Sequence, residues 1–151
     1  MSTYYFEDFS VGQRFETEPH TTTEAEALAF AKRYDPQPHH TDPVAARDSL
    51  FGALVLSGWE TASIIMGQKL RNTPLGQVAT GLVGIGIDNL RWPKAVEPGD
   101  TLRATITIIA ARPSNSRPDK GVVKYKIEAF NQRDELVMGM EVAVLMPRRS
   151  A

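Results

Sequence analysis

The chain of 151 residues carries 17 basic and 18 acidic side chains, a formal net charge of -1, and no cysteine. Its length suits a single domain over residues 1–151 with one buried core. The lack of cysteine excludes disulfides, cysteine nucleophiles and cysteine-bound metal centres. The balanced charge supplies no global positive field of the kind that draws proteins onto nucleic acid.

The amino-terminal stretch MSTYYFEDFSVGQ lacks the basic start and apolar run of a secretion signal. No apolar segment approaches the roughly 20 residues that cross a bilayer. We therefore expect a soluble, cytoplasmic protein with neither a nucleic-acid nor a membrane partner. At the other end, 147-PRRSA-151 follows the last apolar run and is expected to form a flexible tail.

The first predicted element in chain order is an amphipathic helix that starts after Thr23. Thr23 and Glu26 form a capping-box pattern, and apolar residues follow at helical spacing. Pro36 and Pro38 lack amide donors and bias the residues before them toward extended geometry. Residues 34–43 are therefore predicted to form a loop directly after the helix.

Two further helices are predicted, one over about 45–50 and a longer one from Ser57 to about residue 70. Apolar residues are frequent along the longer helix, which indicates burial on most of its sides. Trp59 and Met66 lie there at a spacing that suits core packing, which is their expected role, with the lining of an acyl tunnel as the alternative. Glu60, in the first turn, has the charge that suits the amino-terminal end of a helix dipole.

After Pro74 the chain changes to four long strand-like runs separated by turn signals. Within 101–110, apolar and polar residues alternate with the period of a half-buried strand. Helices first and long strands afterwards favour an α+β domain whose antiparallel sheet buries one face on the long helix. The predicted shape is a curved sheet around a central helix, although another α+β arrangement fits the same pattern.

The stretch 34-YDPQPHHTDP-43 holds a carboxylate and an imidazole in a stiffened segment, at Asp35 and His40. Such a pair around one water can supply the general base and the general acid for adding water to a polarised double bond. Structural roles fit the same residue types and are favoured by spacing alone: Asp35 caps a turn and the histidines are solvated. Asp42 before Pro43 is typical of a helix N-cap.

A metal site is not favoured in this stretch. The adjacent side chains of His39 and His40 point apart in an extended loop. The third histidine, His20, lies in a separate polar segment. We therefore expect no metal.

The region YDPQPHHTDPVAARDSLFGALVLSGWETA resembles the hydratase motif of the MaoC-like dehydratases, a family that includes (R)-specific enoyl-CoA hydratases. The matching positions are Asp35, Pro38, His40, Asp42 and Gly58. The stretches FEDFSVGQRF and IDNLRWPKAVEPGDTL extend the similarity over nearly the whole chain. The resemblance implies the hot-dog fold, a curved antiparallel sheet wrapped around a long central helix, in agreement with the order of the predicted elements.

By this resemblance, Asp35 and His40 are the catalytic residues that bind and activate water for addition to a trans-2-enoyl thioester, or for the reverse step. The backbone amide of Gly58, at the start of the central helix, then polarises the thioester carbonyl.

Two positions differ from residues that are frequent in the family, which often has asparagine before the proline and histidine before the glycine. This chain has Gln37 and Ser57 there. Gln37 keeps an amide, so Gln37 and Pro38 are expected to brace the loop. Ser57 is expected to cap the helix beside the oxyanion and substrate site at Gly58. His39 falls at a variable position, with packing or lining the mouth of the cavity as its expected role.

The resemblance implies an enzyme, a hydratase/dehydratase that converts an enoyl-CoA to a 3-hydroxyacyl-CoA and back. It implies no cofactor beyond the CoA of the substrate, and an acyl-carrier thioester suits the site equally. It also implies a homodimer or a larger homo-oligomer. Two alternatives stay open: an acyl-CoA thioesterase of the same fold, in which Asp35 activates water toward the carbonyl, and a noncatalytic acyl-thioester-binding module.

Overall fold

Six strands form one antiparallel sheet in the computed structural model, which describes residues 2–150. The strands are β1 (Arg14–Glu16), β2 (His20–Thr21), β3 (Val83–Arg91), β4 (Thr101–Pro113), β5 (Lys120–Phe130) and β6 (Leu136–Pro147). Their order in the sheet is β1-β4-β5-β6-β3, and β2 also pairs with β4. β3 therefore lies at one edge and hydrogen-bonds only to β6.

Four helices precede the long strands. They are α1 (Glu24–Tyr34), α2 (Pro38–Thr41), α3 (Pro43–Ala46) and α4 (Gly58–Asn72), with 3-10 turns at Phe6–Asp8 and Pro74–Gln77. No helix within residues 2–150 has the length and apolar character that a membrane span requires. The arrangement confirms the predicted α+β class and the hot-dog fold.

Local capping and periodicity account for the elements that were predicted well. The Thr23 hydroxyl accepts a hydrogen bond from the Glu26 amide at 3.2 Å, which starts α1 as expected. Ser57 caps α4, which confirms the long helix and extends it to Asn72. The alternating apolar positions of β4 are buried, so its inner face contributes to the core.

The loop predicted for residues 34–43 is wrong for its second half. Pro38 starts the one-turn helix α2, because a proline at the first helical position loses no hydrogen bond. The helix predicted over about 45–50 lies earlier, at α3. The Asp42 carboxylate caps α3 by accepting from the Val44 and Ala45 amides, and residues 47–53 form turns and bends.

The prediction that Trp59 and Met66 of α4 pack in the core is also wrong. The side chains of Trp59 and Met66 are 56% and 50% exposed. The buried residues of the helix are mainly polar: Glu60, Thr61, Ile65, Gln68 and Lys69. The helix therefore turns much of its apolar surface outward, toward the exposed edge strand β3.

Hydrogen bonds to other segments of the chain offset the cost of burying these polar side chains. The Gln68 amide donates to the carbonyls of Glu18 and Leu102, at 2.5 and 3.2 Å. The Lys69 ammonium donates to the Tyr125 hydroxyl at 2.5 Å. Buried polar groups need such partners, and most of them come from residues distant in sequence.

The carboxyl-terminal residues contact the amino-terminal segment instead of extending freely from the sheet. Pro147 ends β6, and the Arg148 amide donates to the Asp119 carbonyl at 2.9 Å. Arg149 forms an ion pair with Asp8 at 2.7 Å. The flexible tail expected over 147–151 is thus held by contacts at 147–149, while residue 151 lies outside the described residues.

The burial of Glu60 on α4 makes the stability of the protein depend on pH. The residue is 4% exposed, and its Oε1 has no hydrogen-bond partner within residues 2–150. Burial, assisted by the negative charge of Glu26, raises the pKa of Glu60 from 4.5 to about 7. Between these values the folded protein holds the proton more tightly than the unfolded chain does. Stability must therefore fall as pH rises through this range.

We expect Glu60→Gln to remove this fall. Relative to the wild type, the variant should gain about 3 kcal/mol of unfolding free energy between pH 4.5 and pH 8. Urea unfolding at both pH values measures the difference. The exposed carboxylate of Glu24 on α1 provides the matched control, Glu24→Gln, which should follow the wild type. If the unfolding free energies of the wild type and Glu60→Gln changed in parallel with pH, the raised pKa of Glu60 would be contradicted.

Candidate active site

Asp35 and His40 meet where α1 gives way to α2. Asp35 ends α1, with its amide donating to the Ala31 carbonyl at 2.9 Å. His40 lies in α2 and is only 7% exposed. Asp35 Oδ2 and His40 Nε2 are 3.4 Å apart. The structure thus brings the carboxylate and the imidazole into contact across the two prolines.

The Asp35 carboxylate is held from both sides. Gln37 Nε2 donates to Oδ1 at 2.6 Å, and the Ser57 hydroxyl donates to Oδ2 at 2.7 Å. Burial by itself raises the pKa of Asp35. The two hydrogen bonds, together with the charges of His40 and His39, outweigh burial and lower the pKa below its ordinary value of 3.8. Asp35 is therefore ionised at neutral pH.

The orientation of the His40 ring is set by a backbone carbonyl. Nδ1 lies 2.8 Å from the Val55 oxygen. A carbonyl can only accept, so Nδ1 carries the hydrogen and donates it. In the neutral ring the basic nitrogen is then Nε2, which faces Asp35. This hydrogen bond selects the tautomer that can take up a proton beside the carboxylate.

An extended, buried segment at 54–57 positions both groups. The Val55 amide donates to the His39 carbonyl at 3.1 Å, while the Val55 carbonyl accepts from the His40 ring. The next amide, of Leu56, donates to the Val96 carbonyl at 2.8 Å. The segment therefore connects α2 to the turn that precedes β4.

Ser57 and Gly58 have different surroundings, although both were predicted beside the substrate. The Ser57 hydroxyl accepts from the Trp59 amide at 3.3 Å, as a cap, and donates to Asp35. Ser57 is fully buried behind the carboxylate. Gly58 lines the adjacent cavity, and its amide, in the first turn of α4, has no acceptor within the described chain.

The cavity in front of the pair has a volume of about 270 Å³. Its walls include Asp35, His40, Gly58, Trp59, Trp92 and Lys94. A Cβ atom on Gly58 would lie 2.5 Å from the Trp92 ring, so a larger residue would force the indole to move. The sequence analysis missed this part of the wall. The signal for it was Trp92 in IDNLRWPKAV, a stretch that the sequence analysis used for the family resemblance.

The remaining predicted residues surround the site without facing the cavity. His39 packs its ring against those of His40 and Phe51, at centroid distances of 4.2 and 5.3 Å. The Pro38 carbonyl accepts from the Asp42 amide at 2.9 Å, which closes α2. Gln37 also accepts the His40 amide on its carbonyl, at 2.9 Å. Within residues 2–150 no three metal-ligating side chains converge.

The hot-dog fold described above agrees with the family comparison. Residues 8–129 match the model for the MaoC like domain, and the chain belongs to this family. It is 42% identical to the MaoC-like dehydratase from Rhodospirillum rubrum, over 98% of this chain and 99% of that one, with a TM-score of 0.89.

Proteins described as hydratases are also similar. The (R)-hydratase from A. caviae involved in PHA biosynthesis is 26% identical, over 93% of this chain and 99% of that one, with a TM-score of 0.72. The mesaconyl-CoA hydratase of Cereibacter sphaeroides is 28% identical over 148 residues, or 96% of this chain. This chain spans 41% of that protein's length.

Ser57 allows a direct test of how the pair is positioned. We expect Ser57→Ala to cost about 1–2 kcal/mol of stability, because α4 loses its cap. The pKa of Asp35 should rise, because one of the hydrogen bonds that lower it is gone. Urea unfolding and an NMR titration of the Asp35 carboxyl carbon measure the two effects.

Ser63→Ala is the matched control on the same helix. Its hydroxyl donates to the Trp59 carbonyl at 2.8 Å and does not contact Asp35. We expect a stability change within about 0.5 kcal/mol and an unchanged Asp35 titration. An Asp35 titration that is also unchanged in Ser57→Ala would exclude the positioning role of Ser57.

Proposed function

We propose that the protein is a hydratase/dehydratase that reversibly adds water to the double bond of a trans-2-enoyl thioester, with coenzyme A as the thiol. The observation that carries this proposal is the 3.4 Å contact between Asp35 Oδ2 and His40 Nε2 at the wall of a cavity. The membership of the MaoC-like family and the similarity to proteins described as hydratases support it.

In the proposed reaction, a water molecule binds between Asp35 and His40. Its oxygen bonds to C3 of the acyl chain while His40 Nε2 takes one of its protons. The ionised Asp35 orients the water and stabilises the imidazolium, whose Nδ1 still donates to the Val55 carbonyl. His40 Nε2 then donates this proton to C2, so that each turnover leaves the protein unchanged. Dehydration reverses these steps.

The Gly58 amide is proposed to bind the thioester oxygen. Negative charge develops on this oxygen as water adds to C3, and a free amide at a helix start stabilises such charge. Glycine at this position lets the Trp92 ring approach the helix start. No resident cofactor takes part in this chemistry, and CoA enters as part of the substrate.

The first experiment follows the loss of conjugated enoyl-thioester absorbance with short and medium enoyl-CoA substrates. We expect Asp35→Asn and His40→Ala to lower kcat/KM by about 10²–10⁴-fold, the usual contribution of a positioned acid or base. The matched control is His39→Ala, because His39 is adjacent in sequence and does not line the cavity. It should stay within a few-fold of the wild type.

Three other outcomes would contradict the proposal. Release of free CoA thiol without loss of the double bond would identify a thioesterase. Tight acyl-CoA binding with no turnover of either CoA or acyl-carrier substrates would identify a binding module. Equal activity in the wild type and Asp35→Asn would remove the pair from the chemistry altogether.

We further propose that the protein acts as a homodimer, or as a larger homo-oligomer built from it, in which a second copy covers β3 and the outer face of α4. β3 is an edge strand whose unpaired side can accept another strand. Large apolar side chains are exposed along it and on the facing helix: Trp59, Met66, Leu70, Val83, Ile85 and Ile87. An exposed apolar patch of this kind is typical of an interface.

Light scattering tests the assembly. We expect at least a dimer for the wild type and a shift toward monomer for Ile85→Glu, because the variant buries a charge in the proposed interface. Val11→Glu, at an exposed apolar residue away from this face, should keep the wild-type mass. A wild-type monomer at all concentrations would exclude the assembly.

A further inference from the structure

A second cavity, of about 320 Å³, lies along α4 beside the candidate active site. It is lined by the helix and by strands β3, β5 and β6, and its walls are mainly apolar, with Ala62, Met66, Ile87, Ile127 and Met140 among them. Trp59 lines both cavities. The two cavities are therefore adjacent, with Trp59 between them.

Among residues 2–150, Lys69 is the one charged side chain in the wall of this cavity. It is only 4% exposed, and its Nζ donates to the Tyr125 hydroxyl at 2.5 Å and lies 3.8 Å from the Met66 sulfur. No carboxylate lies within 4.0 Å of Nζ among the described residues. Lys69 and Met66 also line a wider cavity between α4 and β3, and Tyr125 lines that wider cavity with them.

A buried ammonium without a counter-ion is energetically unfavourable. Burial lowers the pKa of Lys69 to about 8, so the group is still mainly protonated at pH 7. Its three N–H donors meet one hydroxyl and a weakly accepting sulfur. Gln68, the preceding residue, instead donates to two carbonyls. A buried cation in a cleft, short of acceptors, is a candidate for ligand binding.

The position of Lys69 relates it to Gly58. Both residues belong to α4, and helix side chains lean toward the amino-terminal end. The contact with Met66 agrees with this direction: Met66 lies eight residues after Gly58, about 12 Å along the helix at a rise of 1.5 Å per residue, and Lys69 lies one turn further on. An acyl chain whose thioester oxygen binds the Gly58 amide would run past Trp59 toward Nζ.

We infer that Lys69 and Tyr125 bind a carboxylate at the far end of the acyl group, so that the preferred substrate is an enoyl thioester with a second carboxyl group. This inference rests on the proposed function of the Asp35–His40 site. The Tyr125 oxygen already accepts from Lys69, so its own hydrogen is available to a carboxylate oxygen. A methyl-terminated chain would leave the ammonium in apolar surroundings without an anion.

The test compares two enoyl-CoA substrates of equal length, one ending in a carboxylate and one in a methyl group. The measured quantity is the ratio of their kcat/KM values, determined over a series of lengths. We expect the wild type to favour the carboxylate, and Lys69→Met to lower the ratio about 10- to 100-fold, since a charge-assisted hydrogen bond is lost. Tyr125→Phe should lower the ratio several-fold.

Lys126→Met is the matched control, because Lys126 is an exposed lysine on the same strand as Tyr125. Its ratio should equal that of the wild type. Lys69→Gln, which keeps a polar side chain without the charge, serves as a second variant should methionine disturb the fold. An unchanged ratio in a folded Lys69 variant would overturn the inference.

A binding arm separates this inference from the proposed function. It measures the dissociation constants of saturated acyl-CoA pairs, carboxylate- and methyl-terminated, for the wild type and Lys69→Met. Carboxylate preference that depends on Lys69, without any turnover, would support the inference and contradict the hydratase. Turnover without any dependence on Lys69, in either arm, would overturn the inference and keep the hydratase.

Discussion

The geometry of the candidate site depends on the backbone of one buried extended segment, 54–57. Val55 is bonded in both directions to α2, through its amide to His39 and through its carbonyl to the His40 ring. Ser57 then reaches Asp35 and caps the central helix with the same hydroxyl. Because these bonds share one short stretch of chain, the carboxylate, the imidazole and the helix start move as a unit. A displacement of this segment would separate the pair without changing either residue.

Local signals in the sequence were sufficient for much of this arrangement. The caps at Thr23 and Asp42 act within three residues of themselves, and the alternation along β4 shows its buried face directly. The Asp35–His40 pair was found from its motif. Its supporting bond from Ser57 joins residues 22 positions apart, and no pattern in the sequence displays such a contact. Pro38 was read as a helix breaker, although at the first position it starts a helix.

The central helix shows where sequence pattern fails. Its apolar residues occur on more than one face, so hydrophobicity alone does not tell which face meets the sheet. The answer lies in strands far along the chain, where Leu102 and Tyr125 supply polar partners for Gln68 and Lys69. Gln68 and Lys69 are buried because the sheet supplies acceptors for their N–H groups. Its tryptophan and methionine then face the cavity and the edge strand.

Because α4 buries polar residues and turns Trp59 and Met66 outward, the residues proposed for the chemistry and those that line the second cavity are different. The proposed acid–base pair, Asp35 and His40, comes from residues that precede α4, and hydrogen bonds to residues 54–57 fix it. The second cavity is instead built by the body of α4 and the sheet, beyond Trp59, which packs edge-on against Trp92 at 5.2 Å. Substitutions at positions such as Met66 or Lys69 would change the cavity without touching the Asp35–His40 contact. One fold can therefore keep one reaction while the acyl group that it accepts changes.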